Sequence, residues 1–220
     1  TLGRGGSDFS AAILGTALDA GEVWIWTDVD GVMTTDPRVA PTARTLKTVT
    51  YREVSELAYF GAKVLHPKTI RPVVEKGIPL WIKNTFNPNG PATQVVPDNG
   101  ANNGKGKLRA VTAIKNLCMI TIEGRGMVGV QGIAARAFGA VASTETSVSL
   151  ISQASSEQSI CFTIPSSTNR SVLGSLEDEF QVELAHRDID NIAAMDDVVI
   201  VTVVGAGMRH TPGIAGAIFS

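Results

Sequence analysis

The chain has 220 residues, 44% of them apolar and 18% charged, with a formal net charge of −2 at neutral pH. That size accommodates one large or two ordinary domains with cores of their own, and the weak negative charge argues against nucleic acid or an anionic membrane surface as a partner. No apolar run reaches the roughly 18 residues that a membrane helix needs and no secretory signal is visible; the expectation of a cytosolic protein rests on its two cysteines, read below as reduced core thiols.

The chain opens on a glycine-rich turn, Thr1-Leu-Gly-Arg-Gly-Gly-Ser-Asp8, with one cation, one hydroxyl and one carboxylate ahead of an apolar helical pattern. Glycines let backbone N–H groups crowd around an anion, and a following helix adds its positive end. Arg4 offers a planar fork for a carboxylate or phosphate. Such a turn suits a small anionic substrate. Ser7 or Asp8 is predicted to cap a helix over 9–20 that Gly21 ends, a reading that on local grounds needs no ligand.

Residues 22–27 read as a strand and 28–37 as a polar loop with three aspartates and one glycine. Helices are predicted over 51–60 and from Pro67 to about Gly77, and a short strand over 78–83. This alternation indicates an α/β layer with a largely parallel sheet. Residues 84–107 hold three prolines, four glycines and few large apolar side chains, and read as loop and linker, with a domain boundary over 99–107.

Beyond the linker the chain repeats itself. Residues 119–138 match 200–219 at one offset of 81, with identities at Thr121/Thr202, Gly124/Gly205, Gly126/Gly207, Met127/Met208, Gly132/Gly213, Ile133/Ile214, Ala134/Ala215 and Phe138/Phe219. Ungapped agreement at that density marks two copies of one module. The first copy, about 117–187, reads as strand 117–122, helix 132–141, strands 147–152 and 158–164, helix 169–180 and strand 181–185, the βαββαβ ferredoxin-like order. The second, from about 198, stops inside its first helix, so a chain truncated at both ends is expected. Cys118 and Cys161 lie in apolar strand-like runs and are read as reduced core thiols. In the first copy, the glycines of 124–132 place N–H groups at a helix start, which suits the carboxylate of a free amino acid.

Three segments, in order, carry a resemblance: Thr1-Leu-Gly-Arg-Gly-Gly-Ser-Asp-Phe-Ser-Ala11, Thr27-Asp-Val-Asp-Gly-Val-Met-Thr-Thr-Asp-Pro-Arg38 and Gly61-Ala-Lys-Val-Leu-His-Pro67. Together with the repeats, they resemble aspartate kinase with its tandem ACT regulatory domains. The resemblance implies the C-terminal part of an amino-acid-kinase domain over 1–98, a mainly parallel sheet with helices on both faces, then ferredoxin-like ACT repeats over 108–220. It implies transfer of the ATP γ-phosphoryl group, with Mg2+, to the side-chain carboxylate of L-aspartate at the head of lysine, threonine and methionine synthesis.

In that scheme Asp8 and Arg4 are catalytic, and Arg4 and Ser7 hold the substrate. Thr27, Asp28, Met33, Asp36, Arg38 and Lys63 line the nucleotide. Met33 stands where many relatives carry a tyrosine. Read locally, Asp36 and Arg38 form an ordinary aspartate–proline turn, and Lys63 is surface; His66, His186 and His210 are structural, with no metal-ligand spacing. Met127, Gly129, Gln131, Gln153, Ser155, Ser156 and Glu157 resemble the ACT effector edge. Gln153 favours threonine over lysine as effector, and the ACT domains favour a homo-oligomer. The family's K-x-G-G-[ST] loop and a substrate glutamate have no counterpart in the 220 residues, so they are expected to turn over poorly alone. A non-catalytic amino-acid-sensing subunit, another amino-acid kinase, and the kinase part of a bifunctional aspartokinase/homoserine dehydrogenase are the alternatives.

Overall fold

The computed structural model of the chain describes residues 6–62, 65, 67–97, 108–153, 158–205, 208 and 211–220. They form two compact units, residues 1–113 with 201–220, and residues 114–200. None of the described helices is long and apolar enough to cross a membrane.

The first unit holds α1 (Gly6–Ala17), β1 (Val23–Thr27), β2 (Thr48–Thr50), α2 (Tyr51–Tyr59), α3 (Pro67–Lys76), β3 (Leu80–Asn84) and β4 (Thr93–Val96). Its sheet has the order β1-β3-β4-β2. β1 runs parallel to β3 and β2 to β4, while β3 and β4 are antiparallel. The largely parallel α/β layer expected from the sequence is present. β4 was not anticipated: it lies inside the stretch read as loop and linker. Four residues among prolines, asparagines and glycines carry too short an alternation to register, yet Thr93 and Val95 are fully buried in mid-sheet.

Alternation is plain in β1, where Val23 and Ile25 are buried and Trp24 and Trp26 exposed. Ile25, Val49, Ile70, Val73, Ile82 and Val95 belong to one core. α1 starts earlier than predicted, so Ser7 and Asp8 sit in its first turn rather than at the cap, where Asp8 still complements the helix dipole. It also ends earlier, because Asp19 adopts a left-handed φ of 48° and the Ala20 N–H returns to the Gly15 carbonyl at 2.9 Å. α2 opens on a capping box: Thr50 Oγ1 accepts from Glu53 N–H, and the Glu53 carboxylate accepts from Thr50 N–H.

The second unit contains most of β5 (Ala110–Glu123) and β8 (Asn191–Val204), with α4 (Ile133–Ser143), β6 (Leu150–Gln153), β7 (Ser159–Pro165), α5 (Asn169–Glu179) and α6 (Gln181–His186) between them. The sheet order is β6-β7-β5-β8, and β7 is antiparallel to both β5 and β6. This is the ferredoxin-like arrangement, with Ile120, Ile122, Ala137, Phe162, Leu176 and Phe180 in its core.

One predicted element is overturned. Residues 181–185 form helix α6, not the fourth strand. Val182 and Leu184 mimic a period of two, but the six residues are mostly good helix formers, and Val182 is exposed. The fourth strand is β8, which also contains the strand assigned to the start of the second copy. Cys118 and Cys161 are free thiols, as expected. Burial, and next a hydrogen bond with Asp196, push the Cys118 thiol up to about 11.

The repeat is visible in backbone angles. Asn116 and Asp197, 81 apart, have φ of 59° and 58°, and Gly132 and Gly213 have 88° and 83°. Each of these two glycines directly precedes a helix, α4 and α7 (Ile214–Phe219) respectively.

Candidate functional site

β1 and β3 are parallel neighbours, so their carboxyl ends lie side by side, the edge at which open α/β sheets bind ligands. Thr27 and Asn84 are register partners there, and the Thr85 N–H donates to the Thr27 carbonyl at 2.8 Å. Thr27 Oγ1 donates to the adjacent Asp28 carboxylate at 3.1 Å, and Asp28 is exposed.

The chain beyond Asp28 is pinned at several points. Asp30 Oδ1 accepts from Asn84 Nδ2 at 2.8 Å and from Asn87 Nδ2 at 3.4 Å. Gly31 has a φ of 87°, and a Cβ there would come within 2.4 Å of Thr93 Oγ1 and 2.9 Å of the Thr93 nitrogen. Thr93 Oγ1 accepts from Val32 N–H at 2.8 Å and donates to the Leu46 carbonyl at 2.6 Å. Met33 bridges Thr45, and Thr34 N–H donates to the Arg44 carbonyl while its own carbonyl accepts from Val111 N–H, both at 2.8 Å. Residues 28–47 are therefore a closed ribbon.

At the tip of the ribbon Asp36 accepts from the Arg38 N–H and forms a forked ion pair with its guanidinium, at 2.8 Å for the closest contact. This pairing raises the Arg38 pKa. The turn read from the sequence is thus realised, and it leaves the Arg38 side chain 86% exposed.

Ser7 and Asp8 stand on α1, Ser7 Oγ donating to Asp8 Oδ1 at 3.4 Å. α1 packs on α3 and β1 and connects to β1 through residues 18–22. Its 12 residues span about 18 Å at ~1.5 Å per residue, and the five of β1 about 16 Å at ~3.3 Å. A helix that packs on the strand it feeds through so short a connection runs against that strand, which orients the first turn of α1 toward the strand end that carries Thr27 and Asp28. Arg4, Lys63 and His66 lie outside the described residues.

The second candidate edge lies in the ferredoxin-like unit. Glu123 is paired with Ser159 and Gln153 with Ile160. The loop after β5 and the end of β6 therefore share one end of the sheet, two strands or about 10 Å apart. Val128, Gly129, Val130, Gln131 and Gln153 are all exposed there.

Met127 differs from the expectation: in a one-turn 3-10 helix (Arg125–Met127) it is only 4% exposed and plugs the core, so its side chain is not offered to a ligand. Gly124 also has a packing reason. A Cβ there would lie 2.3 Å from the Asp188 carbonyl oxygen, next to Asp190, which accepts from Arg125 N–H at 3.3 Å. Gly132 opens α4 with no side-chain cap. Ser155, Ser156, Glu157 and His210 lie outside the described residues.

Asp30, Asn84 and Thr93 were not singled out from the sequence. Asp30 is visible in T-D-V-D-G, but its amide partners are more than 50 residues away in sequence, and nothing local signals them. Among the described residues no three His, Cys, Asp or Glu side chains cluster as a metal site.

Residues 1–84 match the amino acid kinase family and residues 120–180 an ACT domain. The bifunctional aspartokinase/homoserine dehydrogenase of Haemophilus influenzae is 45% identical over 219 residues, all of this chain and 27% of that protein. The chain thus spans about a quarter of the length of the curated relatives it matches first. Among solved structures, the aspartate kinase of Clostridium acetobutylicum superposes with a TM-score of 0.88 at 28% identity, over 100% of this chain and 49% of that one. Escherichia coli aspartokinase III, in complex with aspartate and ADP, superposes with a TM-score of 0.73 at 32% identity, over 100% and 48%. The chain thus carries an amino acid kinase segment followed by an ACT domain and is similar along its whole length to these aspartokinases.

Proposed function

We propose that the chain serves an aspartate kinase, which transfers the γ-phosphoryl group of ATP to the side-chain carboxylate of L-aspartate and yields 4-phospho-L-aspartate. What supports this reading is the packing of α1, which holds Ser7 and Asp8 in its first turn, on the strand whose carboxyl end carries Thr27 and Asp28. Residues 1–98 are the kinase part, 99–107 the linker and 108–220 the ACT region of this cytosolic enzyme. The match to bifunctional relatives along the whole chain supports a kinase part that belongs to such an enzyme.

Phosphoryl transfer is mainly positioning and neutralisation of charge. Arg4 holds a substrate carboxylate by a two-point pair and Ser7 adds a hydrogen bond. Thr27 and Asp28 orient the nucleotide beside them, with Met33, Asp36, Arg38 and Lys63 along its path, and Asp8 organises the cations around the transferring group. Mg2+, when bound, offsets the charge of the β- and γ-phosphates. Asp8 and Asp28 are the carboxylates that would hold it.

The exposed edge at Val128–Gln131 and Gln153 takes a free amino acid, threonine in preference to lysine, and Ser155, Ser156 and Glu157 complete it. The ACT units associate as a homo-oligomer. Calorimetry on the 220-residue chain tests the scheme: heat on adding MgATP and on adding L-aspartate is expected, with slow or no formation of hydroxylamine-trapped acyl phosphate. Binding of neither overturns the kinase reading, and absence of heat with threonine overturns the effector.

A further inference from the structure

The ladder between β1 and β3 ends with the Thr85 N–H on the Thr27 carbonyl. Beyond it two parallel strands are free to splay, and a side-chain bond takes over. Asn84 Nδ2 reaches Asp30 at 2.8 Å, and Asn84 Oδ1 accepts from Phe86 N–H at 2.9 Å. Asn87 Nδ2 adds a second, longer contact to the same Asp30 oxygen. One amide therefore ties the exit turn of β3 to the exit turn of β1.

Thr93 grips Val32 from a third strand. Asp28 and Val29, both exposed, are suspended between the Thr27 anchor on one side and the Asp30 and Val32 anchors on the other. The Asp30–Asn84 bond is half-buried, so water competes for it less than at the surface. A backbone held this tightly loses little freedom when a ligand arrives, which is where pre-organisation adds affinity.

We propose that Asp30 and Asn84 are a positioning pair that presents Thr27 and Asp28 to the nucleotide; neither touches the reacting atoms. The proposal rests on the kinase reading and adds to it the two residues that set nucleotide affinity without setting affinity for the amino-acid substrate.

The test is calorimetric titration of the chain with MgATP and, separately, with L-aspartate. D30A removes the acceptor, and N84D sets two carboxylates face to face. Each is expected to weaken MgATP binding about tenfold, the cost of one partly buried hydrogen bond, with the L-aspartate affinity held within about twofold. D30N with N84D restores a donor opposite an acceptor and recovers MgATP affinity to within about threefold.

If D30A melts below the assay temperature, the comparison of N84D with the double variant decides the matter. Unchanged MgATP affinity in N84D and D30A, no recovery in the double variant, or equal losses for both ligands overturns the pair. No MgATP binding by the unaltered chain instead overturns the kinase reading, and the pair with it.

Discussion

The ribbon after β1 and the loop after β5 occupy matching places, each leaving the carboxyl end of a strand, yet they are held by different means. The ribbon is pinned by polar side chains from distant strands: Thr93 on Val32 and Leu46, Asn84 on Asp30. The loop after β5 is pinned by packing, with Met127 in the core and Gly124 against the backbone of Asp188. Hydrogen bonds fix direction, so the first arrangement suits a site that must orient a polyanion. Packing fixes position and leaves the side chains of Val128, Val130 and Gln131 exposed, which suits an edge that responds to a small effector.

The two regions should therefore fail differently. The largest effect is expected from Met127→Ala, which empties a core position of the ferredoxin-like unit. It should lose about 3 kcal/mol in urea unfolding of that unit and leave MgATP affinity unchanged. A loss below about 1 kcal/mol would show that Met127 is not a core plug.

Thr93→Val comes next. It keeps the shape and removes both bonds to the ribbon, leaving a buried N–H at Val32 and a half-buried carbonyl at Leu46 without that partner. About 2 kcal/mol is expected from the first unit, with faster hydrogen exchange at Val32, whose N–H loses its partner. Exchange as slow as in the unaltered chain would mean that the ribbon is held otherwise.

The smallest effect concerns a clip inside the ferredoxin-like unit. Arg136 on α4 bonds Glu179 at 2.7 Å and reaches the Glu183 carboxylate, and its guanidinium stands 4.8 Å from the Phe180 ring centre. The hydrogen bond from Arg136 holds the Glu183 carboxyl below its usual range. A lowered folded pKa gives stability that is fully present above the unfolded value, near 4.3, and is lost as pH falls through the folded one. Glu183→Gln should thus cost less than about 1 kcal/mol at pH 7, and its difference from the unaltered chain should shrink below about pH 4. A constant difference down to pH 2 would remove the ion pair as its cause.

Much of the architecture was readable from local pattern. β1 alternates cleanly, and Pro67 and Gly77 bracket α3. The 81-residue repeat reappears as paired left-handed residues, Asn116 with Asp197 and Gly132 with Gly213. Misreadings arose where local pattern was short or ambiguous. β4 has four residues, and Gln181–His186 alternates like a strand while its residues favour a helix. At the candidate sites, Thr27, Asp28, Ser7 and Asp8 were legible as motifs. Asp30, Asn84 and Thr93 were not, because hydrogen bonds between residues 54 to 61 apart leave no trace in spacing.

Periodicity, glycine placement and internal repetition are properties of neighbouring residues, and they suffice to specify an α/β layer followed by a ferredoxin-like module. Which polar side chain meets which across strands depends on sheet order and register. These are settled only when distant segments compete to bury their apolar faces, and so the tertiary structure alone decided that Asn84 would meet Asp30 and that Met127 would face inward.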